Sequence, residues 1–230
     1  MPEIVISTSN LCKTYVSAAL DPVHALKSVE IAIEEGEIEE GEIVGIMGPS
    51  GCGKTTLLNC LSGLDTIDDG DILIQGKSLN DLNDDQLSEF RAKKMGFVFQ
   101  TYNLLPVLNA VENVELPLLV SGMSAKAARN KAIEKLEEVD LVKQIHQLPG
   151  ELSGGQRQRV TIARALVNDP AIVWADEPTG NLDSENEIEI MNLLTQMNKE
   201  NNQTFVIVTH SDYVGGRANR IINMKDGEVV

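Results

Sequence analysis

Long apolar runs are missing from this sequence, and so is a secretory pattern at its start. The longest apolar stretches, such as residues 116–120, fall far short of the roughly 18–20 residues that span a bilayer. Met1, Pro2 and Glu3 are not part of a basic region followed by an apolar segment. We therefore expect a cytoplasmic protein that reaches a membrane only through a partner.

Basic residues and cysteines are also few. The 230 residues include 19 Lys and Arg against 35 Asp and Glu, for a net charge of −16. This balance disfavours a nucleic-acid partner, because phosphate backbones are bound by Lys and Arg. Cys12, Cys52 and Cys60 form no CxxC pair and no zinc-type spacing with histidine. Reduced thiols are the expected state.

The sequence does contain an alternation of short apolar strands and amphipathic helices. Strands are expected at residues 4–7, 28–33, 42–47, 71–75, 97–99, 171–175 and 204–209, and helices at 54–61, 125–138 and 155–167. A loop is expected at residues 17–22, an N-cap at Ser124 and a hairpin turn at Asp226 and Gly227. Strands that alternate with helices indicate an α/β core, and the chain length suits one well-packed domain.

An acidic segment is duplicated between two of these strands. Residues 34–38 read Glu-Glu-Gly-Glu-Ile, and residues 39–43 repeat them. Its six glutamates are not expected in a core. A lengthened, solvated turn is the favoured interpretation, and an acidic contact loop is the alternative.

A glycine-rich segment joins the predicted strand at 42–47 to the predicted helix at 54–61. It fits the pattern G-x-x-x-x-G-K-[ST] and consists of Gly48, Pro49, Ser50, Gly51, Cys52, Gly53, Lys54 and Thr55, with Thr56 next. Its glycines let backbone N–H groups turn toward a β-phosphate, and the helix N-terminus favours the same anion. Lys54 would bridge the β- and γ-phosphates of ATP, and the Thr55 hydroxyl would bind Mg²⁺. The strand–loop–helix context favours a phosphate site over a chance glycine turn.

Two carboxylates follow the apolar strand predicted at residues 171–175. Asp176 would lie at the carboxyl end of a parallel strand, where nucleotides bind in such sheets. It would hold Mg²⁺ through water, and Glu177 would polarise a water for attack on the γ-phosphate. The pair could instead cap the next helix. These features indicate a P-loop NTPase without specifying which kind.

The segment that opens the helix near residue 155 offers a second phosphate-binding surface. It reads Leu152, Ser153, Gly154, Gly155 and Gln156. A hydroxyl and bare N–H groups would point at an incoming anion there. Two such surfaces in one chain suggest two chains that face head to tail and complete each other's sites. The segment resembles the signature sequence of the ABC ATPase family.

Other segments resemble the same family in the same order. The resemblance implies roles for Gln100 (Mg²⁺ contact and link to a helical insertion), the loop Gly180 to Asp183 (dimer interface), His210 (γ-phosphate), Tyr15 (stacking on adenine) and residues 147–151 (contact with a membrane subunit). Taken singly, His210 would be a structural histidine, Gln100 a solvated strand end and Tyr15 ordinary half-buried packing. His24 and His146 lie in no motif.

The resemblance covers almost the whole chain. It implies one ABC ATPase domain over residues 1–230, with a P-loop NTPase core of mostly parallel sheet, an antiparallel β subdomain and a helical signature subdomain inserted at about residues 101–165. It also implies an ATPase that uses ATP and Mg²⁺, forms a homodimer around ATP and drives a separate permease on the inner face of the membrane. Residues 100–106 and 112–118 resemble ATPases that serve FtsX- or MacB-type permeases. Export or extraction of a lipoprotein, peptide or drug-like substrate is therefore expected.

Three other classes of ATPase fit the sequence less well. A DNA-maintenance ATPase of the SMC type needs a long coiled coil before the signature, and residues 57–152 carry no sustained heptads. A translation factor usually has two such domains and a basic linker. A small-molecule P-loop kinase has no use for residues 152–156.

Cys52 departs from the serine or alanine that is usual at its position in the family. Backbone N–H groups and the helix N-terminus could make its thiol sensitive to alkylation. An inert small side chain is the alternative.

Overall fold

The structure is a computed structural model that describes residues 3–17, 20–35 and 42–230. It divides into two compact units, the first formed by Met1–Ser88 with Asn198–Val230 and the second by Glu89–Met197. In chain order the elements are β1 (Glu3–Ser17), β2 (Leu20–Glu35), β3 (Ile43–Met47), α1 (Lys54–Leu61), β4 (Asp69–Ile74), β5 (Lys77–Ser78), α2 (Asp84–Lys94), β6 (Met95–Phe99), α3 (Ala110–Val120), α4 (Ala125–Glu138), 3₁₀ turns at Val142–Gln144 and Pro149–Glu151, α5 (Gly154–Leu166), β7 (Ile172–Asp176), α6 (Ser184–Asn201), β8 (Thr204–Thr209), α7 (Asp212–Gly215), β9 (Arg220–Lys225) and β10 (Glu228–Val229).

The first unit contains an antiparallel sheet of order β2-β1-β4-β5. Strands β1 and β2 are much longer than the segments expected at residues 4–7 and 28–33, because register shifts let the two strands stay paired to their far ends. The loop expected at residues 17–22 is therefore wrong at both ends, since β1 extends to Ser17 and β2 begins at Leu20. Pro22 is tolerated because β2 is an edge strand of this sheet.

Parallel strands form the other sheet region of the first unit. Strand β3 pairs in parallel with both β8 and β9, and β10 pairs with β9 in a hairpin. The hairpin turn has φ of 52° at Asp226 and 86° at Gly227, as the predicted tight turn requires. The core side chains of the parallel strands are fully buried, and they include Ile46 of β3 and Phe205 of β8. Their burial follows from the continuous apolar run that parallel strands need.

The second unit pairs β6 with β7 in parallel and packs α3, α4 and α5 together. Glycine is required at position 96, because a Cβ there would lie 2.3 Å from the carbonyl oxygen of Ala165 in α5. Helix α4 has the predicted bounds, with Ala128, Ala132 and Leu136 buried on one face. Ser124 is its N-cap residue, as predicted, although its side chain makes no capping hydrogen bond.

The duplicated acidic segment is described only in part. Its residues 36–41 lie outside the described residues. Glu42 is described and mostly covered, since its side chain is 14% exposed and accepts two hydrogen bonds from Arg220, at 2.9 and 3.2 Å. This one glutamate is therefore paired, not solvated. Within the described ranges, no helix is long and apolar enough to cross a membrane.

Candidate nucleotide-binding site

The phosphate loop lies between β3 and α1, as predicted. Gly48 and Gly53 have φ of 154° and 103°. A Cβ on Gly48 would lie 2.2 Å from the carbonyl oxygen of Met224, and one on Gly53 would lie 2.4 Å from that of Ala25. The loop can therefore pass this close to β9 and β2 only with glycine at both positions.

Helix α1 begins without a side-chain cap. Gly53 is the N-cap residue and cannot supply one, and the first turn contains no acidic residue. The N–H groups of the first turn have no intrahelical acceptors, and they carry the positive end of the helix dipole. This helix start is therefore suited to an anion such as phosphate.

Lys54 is folded against the loop that precedes it. Its Nζ donates to the carbonyl oxygens of Gly48 at 2.8 Å and Pro49 at 3.0 Å, and the residue is only 7% exposed. A buried ammonium group paired only with neutral carbonyls gains a stronger partner when phosphate oxygens arrive. The structure thus places the one cation of the loop beside the uncapped helix start.

A cavity of about 470 Å³ opens beside the phosphate loop within the first unit. It is lined by loop and α1 residues (Gly51, Cys52, Gly53, Lys54, Thr55, Thr56), by Tyr15 of β1, by β2 residues (Val23, His24, Ala25, Lys27) and by the hairpin turn (Asp226, Gly227). An aromatic ring at one side and a phosphate loop at the other suit the base and the phosphates of a nucleotide. Of the predicted site residues, the structure brings Tyr15 and the phosphate loop into one cavity.

His210 follows β8 at the sheet edge that also carries the phosphate loop. Met47 and Thr209 are parallel partners, so Gly48 and His210 leave their strands at the same level. The His210 side chain is exposed. The carboxyl edge of a parallel sheet is where ligands bind in open α/β folds.

Gln100, Asp176 and Glu177 come together in the second unit. Phe99 pairs with Asp176, so Gln100 and Glu177 are the next residues of two neighbouring parallel strands. A Cβ added to Gly180 would lie 2.7 Å from Gln100 Nε2 and 3.4 Å from the Glu177 Cβ. Glu177 itself has φ of 47°, an uncommon value for a residue other than glycine. Such backbone strain is common at functional sites.

The signature segment opens α5 with a reciprocal cap. Ser153 Oγ accepts a hydrogen bond from the Gln156 N–H at 3.2 Å, and Gln156 Oε1 accepts one from the Ser153 N–H at 2.9 Å. Ser153 is exposed. The cap fixes the Ser153 side chain at the helix start, where the resemblance places a second phosphate surface.

Asp183 has a structural partner in the same unit. Its carboxylate accepts hydrogen bonds from the backbone N–H of Asn186 at 2.9 Å and from the Asn186 side chain at 2.9 and 3.0 Å. These bonds, the backbone one foremost, lower the pKa of Asp183 below its ordinary value. Asn186 also lies against Gly155, whose added Cβ would be 2.2 Å from Asn186 Oδ1. Asn186 thus links the predicted interface loop to the signature helix.

The thiol of Cys52 is buried, with 5% of the residue exposed. The backbone of Cys52 holds the loop in place, because its carbonyl oxygen accepts from the Gly227 N–H at 3.0 Å. Burial restricts access by alkylating reagents. The structure therefore favours the inert role over the reactive one.

Two residues that shape these sites were not among the predicted site residues. His24 lines the cavity, and its Nδ1 lies 3.0 Å from Thr14 Oγ1. Arg164 of α5 donates to the carbonyl oxygens of Asn103 at 2.6 Å and Tyr102 at 2.9 Å. Desolvation by burial lowers the pKa of Arg164. His24 lies in no motif, and Arg164 lies in the helix that follows the signature segment without having been predicted as a site residue. Only the tertiary contacts identify their partners.

A strand, a glycine loop and an uncapped helix with a buried lysine define a P-loop nucleotide-binding protein. Residues 34–180 match the family model described as ABC transporter. Over 229 residues the chain is 47% identical to the uncharacterized ABC transporter ATP-binding protein MJ0796 of Methanocaldococcus jannaschii, with 98% of this chain and 95% of that protein covered. It is 44% identical over 229 residues to the lipoprotein-releasing system ATP-binding protein LolD of Pseudoalteromonas translucida, covering 100% and 96%. The chain therefore belongs to the ABC transporter family.

A solved structure supports the same assignment. The dimeric structure of a post-hydrolysis state of MJ0796 bound to ADP and Pi matches with a TM-score of 0.86 and 46% identity, over 97% of this chain and 96% of that one. The predicted family and fold class are confirmed, and the chain is an ATP-binding ATPase subunit of the ABC type. The roles of individual site residues and the single domain over residues 1–230, with its helical insertion at about 101–165, stay predictions.

Proposed function

We propose that two copies of this chain face each other head to tail, bind ATP between them and use its hydrolysis to drive a separate membrane permease. Two helix starts carry this proposal. Helix α1 has no side-chain cap, and α5 presents the exposed Ser153. Each helix start is suited to phosphate. One nucleotide can therefore contact the start of α1 in one copy and the start of α5 in the other. The dimeric form of the related MJ0796 cassette supports this arrangement.

In the proposed bound state the nucleotide fills the cavity beside the phosphate loop. The base stacks on Tyr15, and Lys54 exchanges its bonds to Gly48 and Pro49 for bonds to β- and γ-phosphate oxygens. Backbone N–H groups from Gly51 to Thr56 complete the anion site. The exchange is favourable because charge-assisted hydrogen bonds are stronger than bonds to neutral carbonyls.

Mg²⁺ fits the oxygen donors that the sequence singles out. In the described part of the chain, no group of three or more His, Cys, Asp and Glu side chains could hold a metal by itself. Mg²⁺ usually takes one or two carboxylates together with substrate phosphates. Thr55, Gln100 and Asp176 would hold it, and when bound it would offset negative charge on the β- and γ-phosphates.

Hydrolysis would use groups from both copies. Glu177 orients the attacking water and accepts its proton, while His210 holds the γ-phosphate. Across the interface, the second copy would supply Ser153, Gly154, Gly155 and Gln156 to the γ-phosphate and Asp183 to the contact between subunits. Neutralised phosphate charge favours the closed dimer, and loss of the γ-phosphate reopens it.

The permease would sit in the membrane, with this chain on its cytoplasmic side. Residues 147–151 and the helical region of the second unit are the proposed contact. The relationship to LolD, a lipoprotein-releasing system protein, and the MacB-like segments favour export or extraction of a lipoprotein, peptide or drug-like molecule.

The first test is the oligomeric state of Glu177→Gln, measured by light scattering with and without ATP. The variant should bind ATP, hydrolyse it slowly and shift from monomer to dimer with ATP but not with ADP. A variant that hydrolyses ATP at the wild-type rate would contradict the role of Glu177. A persistent monomer that binds ATP would contradict ATP-driven dimerisation.

Ser153→Asp in the Glu177→Gln background separates the two phosphate surfaces. Aspartate is as good an N-cap as serine, so α5 should stay capped. Its negative charge would repel the γ-phosphate bound to the other copy. This double variant should therefore bind ATP but stay monomeric. Dimerisation equal to that of Glu177→Gln alone would exclude Ser153 from the shared site.

A further inference from the structure

The ring of Tyr15 lies on a part of β1 that has lost one of its two strand neighbours. Pairing between β1 and β4 ends at Cys12 and Asp69, whereas pairing with β2 continues through Tyr15 and Val23. Tyr15 is 42% exposed. Strand pairing on one side alone does not fix a half-exposed ring at a set distance from the phosphate loop.

The loop that follows α1 takes the place of the missing neighbour. Three consecutive residues of β1 bond to it. Lys13 Nζ donates to Asp65 Oδ1 at 3.0 Å, the Thr14 N–H donates to Asp68 Oδ2 at 2.6 Å, and the Tyr15 hydroxyl donates to Asp65 Oδ2 at 2.6 Å. Asp65 therefore uses one carboxylate oxygen for Lys13 and the other for Tyr15.

The same loop is attached to the helix that starts at the phosphate loop. The N–H groups of Leu64 and Asp65 both donate to the carbonyl oxygen of Asn59 in α1, at 2.8 and 3.1 Å. Near the start of the same helix, Thr56 lines the cavity that Tyr15 also lines. Through Asp65, the Tyr15 hydroxyl is thus tied to the helix that begins at the phosphate loop.

The charges around Asp65 agree with this geometry. Burial alone would raise the pKa of Asp65, but hydrogen bonds from Tyr15 and Lys13 outweigh it and hold the pKa below its ordinary value. Burial and the bond to Asp65 raise the pKa of Tyr15. Lys13 is 6% exposed and also donates to the Thr66 carbonyl oxygen at 2.7 Å. The carboxylate is therefore ionised and firmly placed at neutral pH.

We propose that Asp65 is a positioning residue for nucleotide binding, which holds the Tyr15 ring at the correct distance from the phosphate loop through the Tyr15 hydroxyl. Asp65 lies outside the cavity lining, so it acts on the bound nucleotide through Tyr15. A preset ring costs less conformational entropy when the base binds. Asp65 can act this way only if Tyr15 stacks on adenine, so the inference rests on the proposed function.

A double-mutant cycle on the intact chain tests the pair. Asp65→Asn and Tyr15→Phe weaken or remove the same hydrogen bond from opposite ends, and Tyr15→Phe keeps a ring that can stack. Each single variant should raise the Kd for ATP by about three- to tenfold. The double variant should bind ATP no more weakly than whichever single variant has the higher Kd. KM for ATP should rise similarly, with kcat unchanged. Independent effects, which would multiply in the double variant, would overturn the proposal.

Two controls separate positioning from general damage. Asp69→Asn removes the same charge four residues away without touching Tyr15, and it should leave the Kd for ATP unchanged. Inorganic tripolyphosphate has no base, so its affinity should be equal in wild type, Asp65→Asn and Tyr15→Phe. A loss of tripolyphosphate affinity in these two variants would show a damaged phosphate loop and would overturn the proposal. If Asp65→Asn does not fold, as its Tm would reveal, Tyr15→Phe still tests the positioning role of Asp65. An unchanged Kd of Tyr15→Phe for ATP would refute that role.

The role of Tyr15 itself is tested separately by Tyr15→Ala. If this variant binds ATP as wild type does, the ring is not the base platform, and both the proposed stacking and the role of Asp65 fail. If Tyr15→Ala weakens ATP binding while Asp65→Asn and Tyr15→Phe do not, stacking stands and only the positioning role fails. If all three variants bind ATP more weakly, and the effects of Asp65→Asn and Tyr15→Phe are not additive, the results support both the stacking of Tyr15 and the positioning role of Asp65.

Discussion

Replacing Gly53 by alanine tests whether close backbone packing holds the phosphate loop in shape. Gly53 has φ of 103°, and an added Cβ would lie 2.4 Å from the carbonyl oxygen of Ala25. That oxygen cannot easily move away. The next residue of β2, Leu26, is buried, and Lys27 is bonded to Gly227 at 2.8 Å. The clash must therefore displace the phosphate loop.

Gly51→Ala is the matched control within the same loop. Gly51 has φ of 79°, but an added Cβ would meet nothing within 4 Å. Both replacements incur the left-handed backbone cost of about 1–2 kcal/mol, and only Gly53→Ala adds overpacking strain of about 1–3 kcal/mol. The stabilising effect of alanine on the unfolded chain, about 0.4–1 kcal/mol, is common to both and cancels in the comparison.

Thermal unfolding without nucleotide gives the comparison directly. At about 2–4 °C per kcal/mol for a chain of this size, Gly53→Ala should melt about 2–12 °C below Gly51→Ala. Added ATP should raise the Tm of wild type but raise that of Gly53→Ala much less, because the displaced loop binds phosphate poorly. Equal Tm values for the two variants would refute the packing argument, whatever their effect on ATP binding.

Three further outcomes follow from the contacts of single residues. Lys54→Ala should weaken ATP binding at least about tenfold, since it removes the cation beside the uncapped helix start, whereas Lys77→Ala on β5 should not; titration calorimetry measures both. Arg164→Ala should destabilise the chain by about 2–4 kcal/mol, because two charge-assisted bonds to the carbonyls of Tyr102 and Asn103 are lost, and an unchanged urea midpoint would contradict this. The pKa of Asp65 is lowered from its ordinary 3.8. The contribution of ionised Asp65 to the stability of the fold is therefore complete above about pH 4 and is lost as the pH falls through the lowered pKa. The Tm difference between wild type and Asp65→Asn should therefore shrink on acidification below about pH 4, and a constant difference would exclude the ionised pair as its source.

Local chemistry allowed much of this protein to be predicted. The phosphate loop needs glycines where φ is positive and a lysine at its end, so its pattern can be recognised without a fold. Helix α4 was predicted with its observed bounds because apolar residues recur at helical spacing from Ala128 to Leu136. The apolar strand before Asp176 was also recognisable, since parallel strands are buried on both faces.

Pairing between distant segments was not predictable in this way. The length of β1 and β2 depends on bulged antiparallel pairing, which has no strict alternation of polar and apolar residues. The cap expected at Ser124 did not form its hydrogen bond, although the helix begins where the sequence indicated. For β1 and β2, long-range pairing outweighed the local pattern.

The sequence by itself determined the class of protein and the residues that can bind phosphate, because glycine, lysine and carboxylate positions there follow from short-range geometry. Only the tertiary structure decided how the cavity is built around them. Asp65 meets Tyr15 across fifty residues of chain, and Gly53 meets Ala25 across twenty-eight. Such contacts leave no periodic trace in the sequence, since each depends on where separate elements happen to pack.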